Sequence, residues 1–407
     1  MNCRFCHHKL RHSFLSLGSS PLANSFLSEE QLHRMEPFYP LDVYVCENCF
    51  LVQLNEFESP ENIFSDYAYF SSFSESWLKH TEEYVLKMTA AYDINHRSHV
   101  IEIASNDGYL LQYFVNKDIP VLGIEPAQNV AAVAQQKGIP TETDFFGLQT
   151  AERLASEGKY ADLLIGNNVL AHVPKLNDFI AGLKVILKPH GVITMEFSHL
   201  LKLIEDVQFD TIYHEHFSYF SFLTISNIFA SHGLSIFDVE ELSTHGGSLR
   251  IYAKHQEDQS KEVSGRVQHL KEYENQLGFS NIDYYLAFSD KVKAVKRHIV
   301  SSLIKFKEEG RTIVGYGAPA KGNTLLNYCG IRTDFIDYTV DRNPYKQGRF
   351  LPGSHIPIES PDKIKLTKPD YVIILPWNLK NEIMEQISYI REWNGKFIIP
   401  IPQVQVI

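Results

Sequence analysis

From residue 99 the sequence alternates short apolar runs with helix-patterned stretches, and this alternation limits the fold more than any other feature of the chain. HVIEIASNDG gives a strand over 100–104 that ends in a polar turn containing Gly108, and YLLQYFVNK follows as a helix. VLGIEP (121–126) is a second strand ending in an acid, and NVAAVAQQKG is a helix closed by Gly138. ADLLIGNNV (161–169) and GVITMEF (191–197) are two further strands with a helix between them. LSIFDVEELS and GGSLRIYAKH then form an antiparallel pair. Alternating strands and helices build a parallel sheet, and ligand chemistry gathers at the carboxyl ends of its strands.

At 407 residues the chain has room for two or three domains. Its 38 basic and 49 acidic residues leave a net charge of −11, which speaks against wrapping nucleic acid, since that takes many cationic phosphate contacts. A small phosphorylated ligand held by a few local donors remains compatible. No stretch approaches the ~18 consecutive apolar residues of a membrane span. The N-terminus, MNCRFCHHKL, lacks the apolar core of a secretory signal, so a cytoplasmic location is expected.

Four of the five cysteines fall into two CxxC pairs, Cys3/Cys6 and Cys46/Cys49. Each such turn aims two thiolates at one ion, and two turns complete a tetrahedral sulfur set suited to zinc. The 39 residues between Cys6 and Cys46 exceed ordinary ribbon spacing and must form a substructure of their own. His7, His8 and His12 are spare ligand types, but the four thiolates already fill the site. A closed site of this kind is structural.

The strand-end residues suit an adenosine ligand. The first strand leads into Glu102-Ile-Ala104-Ser-Asn106-Asp107-Gly108, which has a single glycine and does not match GxGxxG, so a ligand without a pyrophosphate fits better. Glu125 stands where a carboxylate takes two ribose hydroxyls, and Asp144 with Phe145 offers an acid and a ring face to an adenine. This order of acids, closed by the antiparallel pair, resembles the class I S-adenosylmethionine-dependent methyltransferases.

Tyr213-His214-Glu215-His216-Phe-Ser-Tyr219 follows the fifth strand of the sheet and should lie over its ligand end. It supplies imidazoles, a carboxylate and phenols, the ingredients of acid–base chemistry. His214 and His216, two apart, do not share a helix face, which argues against a two-histidine metal site.

YHEHFSYFS, preceded by the two cysteine pairs, resembles the sugar-nucleotide C-methyltransferases, which add a branch methyl at C-3′ of dTDP-linked 4-keto-deoxysugars. The family pattern Tyr-x-Glu-His-x-x-Tyr is met by Tyr213, Glu215, His216 and Tyr219. Similar too are Asp66-Tyr67-Ala-Tyr69-Phe-Ser71, Asn167-Asn168 with His172, Thr244-His-Gly-Gly-Ser-Leu-Arg250, and Gly315-Tyr-Gly-Ala-Pro-Ala-Lys321-Gly-Asn323. The resemblance implies that His216 is the general base, that Glu215 fixes its tautomer, that Tyr213 or Tyr67 donates to the enolate oxygen, and that His172 positions the sugar or moves a proton. It implies S-adenosylmethionine on Glu102, Ala104, Asn106, Asp107, Gly108, Glu125, Asp144, Phe145 and Asn167. Tyr69, Ser71, Tyr219 and Arg250 would touch the sugar.

The last third reads as strand, glycine loop and helix in RTIVGYGAPAKGNT, followed by YTVDRNPYKQGRF and the apolar strand DYVIILPWN. Backbone N–H groups of such a loop can face a phosphate. Lys321, Asn323, Asp341, Lys346 and Arg349 are the candidate residues for the nucleotide part of the substrate. The expectation is an α/β chain with a zinc-binding module (1–65), a class I Rossmann-like methyltransferase domain (66–257) and a smaller Rossmann-like domain (258–407). The competing readings are a zinc-ribbon nucleic-acid methyltransferase, an NAD-dependent sugar-nucleotide oxidoreductase or epimerase, and a non-catalytic adenosine binder. The expected partner is a small sugar nucleotide, with no nucleic acid, no membrane and a monomeric state.

Overall fold

The computed structural model describes residues 1–59 and 70–407. The first segment supplies β1 (His12–Ser20), β2 (Tyr39–Val45) and β3 (Val52–Leu54). The central segment supplies β4 (Val100–Ile103), β5 (Val121–Ile124), β6 (Thr141–Glu142), β7 (Ala161–Asn167), β8 (Leu187–Ser198), β9 (Ser218–Tyr219), β10 (Leu234–Leu242) and β11 (Ser248–His255). The last third supplies β12 (Ile313–Tyr316), β13 (Thr339–Val340), β14 (Ile358–Glu359), β15 (Tyr371–Ile374), β16 (Lys396–Ile399) and β17 (Gln405–Val406).

The central sheet runs β10-β11-β8-β7-β4-β5-β6. β8, β7, β4, β5 and β6 are mutually parallel, and β10 and β11 form the antiparallel pair at one edge. This is the class I methyltransferase order, and the chain reverses direction across the sheet between β4 and β7, which opens a crevice at their carboxyl ends. The strands buried on both faces are nearly all apolar, as in Val100-Ile101 and Leu163-Leu164-Ile165. One expected element is shorter than its pattern. The helix after β4 spans only Leu111–Val115, because residues 104–108 form a turn with Ala104, Asn106 and Gly108 all at positive φ (57°, 48° and 75°). A β-carbon on Gly108 would come within 2.2 Å of the Ile139 side chain, and its φ of 75° favours glycine, so a substitution there strains the turn.

The C-terminal sheet, β14-β13-β12-β15-β16-β17, is parallel except for β17. The small N-terminal sheet runs β1-β2-β3-β9, so its last strand is Ser218–Tyr219, borrowed from the segment that follows the central sheet's fifth strand. Its inner face packs on the third module, where Phe14 stacks on Phe288 at 4.8 Å between ring centroids. The three modules therefore share one core along a common seam. Among the described residues, no helix is long and apolar enough to cross a membrane.

Candidate active site

The two CxxC turns are built alike. In each, the residue after the second cysteine (His7, Phe50) is left-handed and donates its N–H back to the first cysteine's carbonyl. The Sγ atoms of Cys3 and Cys49 are 3.6 Å apart, those of Cys6 and Cys46 are 3.5 Å apart, and all four lie within 4.8 Å of one another. A tetrahedral zinc with bonds of about 2.3 Å sets its sulfurs roughly 3.8 Å apart, so the four thiolates fit that ion and leave no open position. His8 and His12 are turned away, each bonded to a separate oxygen of Glu47 at 2.8 and 2.7 Å.

The acids expected to meet the cofactor lie at the carboxyl ends of β4 and β5. Glu125 accepts the N–H of Asn106 and of Ala127, both at 2.9 Å, which ties the first turn to the second strand. The Asn106 side-chain oxygen accepts the N–H of Ser71 at 2.9 Å, which brings the lead-in segment over the turn. Burial raises the carboxyl of Glu102 well above its usual range, and the charges of Glu125 and Asp107 add to this. Burial likewise raises Glu125. Asp107 has one oxygen against Lys137 and the other buried without a hydrogen-bond partner. The three clustered carboxyls suit a ligand that brings hydroxyl, ammonium and sulfonium groups, as S-adenosylmethionine does. Asn167 is buried at the end of β7 and donates to the Tyr109 phenol at 3.4 Å. Asp144 and Phe145 are partly open to solvent, with Asp144 near Arg153 at 3.5 Å.

The histidine–tyrosine cluster centres on the turn 210–216. His216 Nδ1 lies 2.9 Å from the Thr211 carbonyl, which can only accept, so Nδ1 carries the proton. Nε2 is then the acceptor, and the Tyr213 hydroxyl donates to it at 2.7 Å. Burial, followed by the neighbouring His172, holds His216 well below its usual pKa. His172 packs edge-on at 4.7 Å and donates from Nδ1 to the Glu215 carbonyl at 2.7 Å; burial lowers it to about 4. Both imidazoles are therefore neutral.

This corrects the expected part of Glu215. Its carboxyl is not on His216: the tight turn that bonds His216 N–H to the Tyr213 carbonyl sends it the other way, to accept from Asn24 Nδ2 at 2.7 Å. Burial pushes it up to about 7. Tyr219 is buried on β9, its ring 6.2 Å from that of His216. Arg250 is also placed differently from expectation. It is buried against Glu196 at 2.6 Å, lies over the Tyr84 ring, and forms part of a network with His80. Tyr67 and Tyr69 lie outside the described residues.

The glycine loop after β12 meets this turn across the seam. Asp341 accepts the Ala318 N–H at 2.7 Å and Lys346 donates to the Ala318 carbonyl at 2.9 Å, so both shape the loop. Asn323 is buried with neither side-chain atom hydrogen-bonded. Arg349 is exposed.

Several further residues meet at the seam. Asp210 accepts the Trp377 indole N–H at 2.7 Å, and burial pushes its carboxyl up to about 6. His245 is held at φ 54° against Asn168 at 3.2 Å, and burial lowers it to about 4. The Gly246-Gly247 pair is the local sequence sign of a special backbone there.

Family models match three segments: a zinc binding domain over residues 3–64, a methyltransferase domain over 77–239 and a C-methyltransferase C-terminal domain over 243–402. The chain is 35% identical over 408 residues to the C-methyltransferase NovU of Streptomyces niveus, covering 100% of this chain and 96% of that protein. It is 29% identical over 97 residues to a ubiquinone biosynthesis O-methyltransferase of Bartonella bacilliformis, covering 23% of this chain and 38% of that one. A crystal structure of magnesium protoporphyrin IX methyltransferase from Synechocystis PCC 6803 with bound SAM is 18% identical, covers 43% of this chain and 78% of its own, and superposes with a TM-score of 0.34.

Proposed function

We propose that this chain, which belongs to the family of S-adenosylmethionine-dependent C-methyltransferases with an N-terminal structural zinc site, methylates C-3′ of a dTDP-linked 4-keto-deoxysugar. The observation that carries the reading is the locked tautomer of His216. Thr211 fixes the proton on Nδ1, so the Nε2 lone pair always faces the Tyr213 hydroxyl. A neutral imidazole behind a phenol is a ready proton acceptor.

The 4-keto group acidifies the hydrogen on C-3′. As that C–H bond breaks, its proton goes to the Tyr213 oxygen while the phenol's own proton passes to His216 Nε2. The electron pair moves into the C-3′–C-4′ bond and onto the carbonyl oxygen. S-adenosylmethionine, when bound, supplies an electrophilic methyl group and leaves as the thioether once C-3′ has taken that methyl. Glu125 serves the ribose, Asp144 and Phe145 the adenine, and Glu102, Asn167 and the turn Ala104–Gly108 the rest of that ligand. His172 backs the base pair and keeps it dry. Glu215 holds the N-terminal loop through Asn24. Asn323, buried and unpaired beside the glycine loop, supports a polar ligand on the C-terminal module, and Lys346 lends it positive charge.

The test is incubation with S-adenosylmethionine and a panel of dTDP-4-keto-6-deoxy and 2,6-dideoxy sugars. The expected result is addition of one methyl by mass, together with exchange of the C-3′ hydrogen in D₂O. No mass gain and no exchange on any member would end this reading.

A further inference from the structure

We propose that Lys321 is a catalytic residue of this reaction, its ammonium group facing the 4-keto oxygen and holding the negative charge of the enolate. The inference rests on the C-3′ methylation reading above and assigns the group that stabilises its intermediate.

Lys321 belongs to the C-terminal module, one residue into the helix Ala320–Cys329, but its surroundings are those of the reacting turn. Nζ lies 4.8 Å over the Trp377 ring and donates to Asn378 Oδ1 at 3.0 Å. The indole of Trp377 in turn binds Asp210, three residues before Tyr213. Thr324, one turn along the same helix face, donates its hydroxyl to the Ile212 carbonyl at 3.0 Å. The face that carries Lys321 is thus packed on the segment that carries Tyr213 and His216. The lysine charge is felt at the rings of both His216 and His245, where it opposes protonation.

Its partners leave it with capacity to spare. An ammonium group has three donors, and here one is used on a neutral amide while an indole face covers one side. Among the described residues no carboxylate oxygen lies within 4 Å of Nζ, although Asp210 is close enough to attract it. Lys346, the other lysine of the seam, is engaged instead with the Ala318 carbonyl and with Asp341 at 3.9 Å. Lys321 therefore suits an anion that forms only during the reaction, in a site shielded from water. The Tyr213 hydroxyl does not serve as that donor, because it is committed to His216. Lys321 keeps its proton throughout. The electron pair from the broken C-3′–H bond resides on the carbonyl oxygen, against Nζ–H, until C-3′ is methylated.

The rival role is an anchor for the diphosphate, and kinetics separates the two. Full-length wild type, Lys321→Met and Lys321→Arg are compared for kcat, KM, dTDP affinity and C-3′ hydrogen exchange in D₂O. Lys321→Met should lower kcat and exchange together by about 10²–10³-fold, with dTDP affinity held within ~3-fold. Lys321→Arg should restore a large part of the exchange. Weaker dTDP binding or a raised KM with exchange intact would overturn the proposal and make Lys321 a diphosphate anchor. Should the Met variant not fold, the Arg variant decides by the same two readouts. Wild type that neither exchanges nor methylates would instead remove the substrate reading beneath it.

Discussion

The turn at 102–108 and the turn at 210–216 both border the carboxyl edge of the central sheet, yet they owe their shapes to different things. The first is held by its neighbours along the chain: left-handed Ala104, Asn106 and Gly108, and the Glu125 carboxylate one strand away. The second is held from outside. Asp210 is fixed by Trp377, Ile212 by Thr324, and Glu215 by Asn24, which come from the last and first modules. A cofactor half built within one βαβ unit should tolerate damage elsewhere, whereas a reacting half built at a three-way seam should feel it. That difference can be tested, beginning where the effect should be largest.

His216→Ala should lower turnover by about 10²–10⁴-fold while leaving S-adenosylmethionine affinity unchanged in calorimetry. A parallel loss of cofactor affinity would mean that the halves are not separate. Cys46→Ala, or zinc removal by a chelator, should release the N-terminal sheet and with it Asn24 and the β3–β9 pairing. The expected outcome is a lower yield of folded protein, and in whatever folds a loss of turnover that exceeds the loss of cofactor binding. A metal-free, fully active Cys46→Ala protein would show that the seam does not depend on the zinc.

Glu125→Gln should act in the opposite sense, weakening S-adenosylmethionine binding by roughly tenfold with little change in C-3′ exchange, since a charge-assisted hydrogen bond is worth about 1.5–3 kcal/mol at most. Equal effects on both would blur the division. The last effect is on stability and concerns pH. Burial holds Glu215 protonated to about pH 7, above an exposed glutamic acid, so the folded chain keeps a proton that the unfolded chain has released. Stability should therefore fall as pH rises from about 4.5 to 7 and then level off. Glu215→Gln, neutral at every pH, should gain on wild type across that window by roughly 3 kcal/mol in urea denaturation. An unchanged difference between pH 5 and pH 8 would show that the carboxyl is not buried as described.

The shape of the first turn was legible in the chain because its determinants are local. The acid at the end of β5 and the single-glycine turn after β4 announce themselves within a few residues of the strands that position them. The histidine–tyrosine turn was legible as chemistry but not as wiring. Glu215 stands next to His216 in sequence, and adjacency suggested that it sets the tautomer; the turn at 213–216 sends the two side chains apart and gives that task to a backbone carbonyl. Arg250 resembled a ligand contact, but its place on β11 opposite Glu196 buries it in a fixed ion pair.

The sequence by itself determined the zinc thiolates and the alternation of strands and helices, since each depends on residue types at short spacings. Only the tertiary structure decided that β9 leaves its own segment to complete the N-terminal sheet, and that Lys321, Asp210 and Trp377 meet although they are far apart in the chain. The reason is that side chains brought together by packing between modules share no period, spacing or local propensity that a linear reading detects. Their proximity is a property of the closed seam and appears only once the shared core has formed.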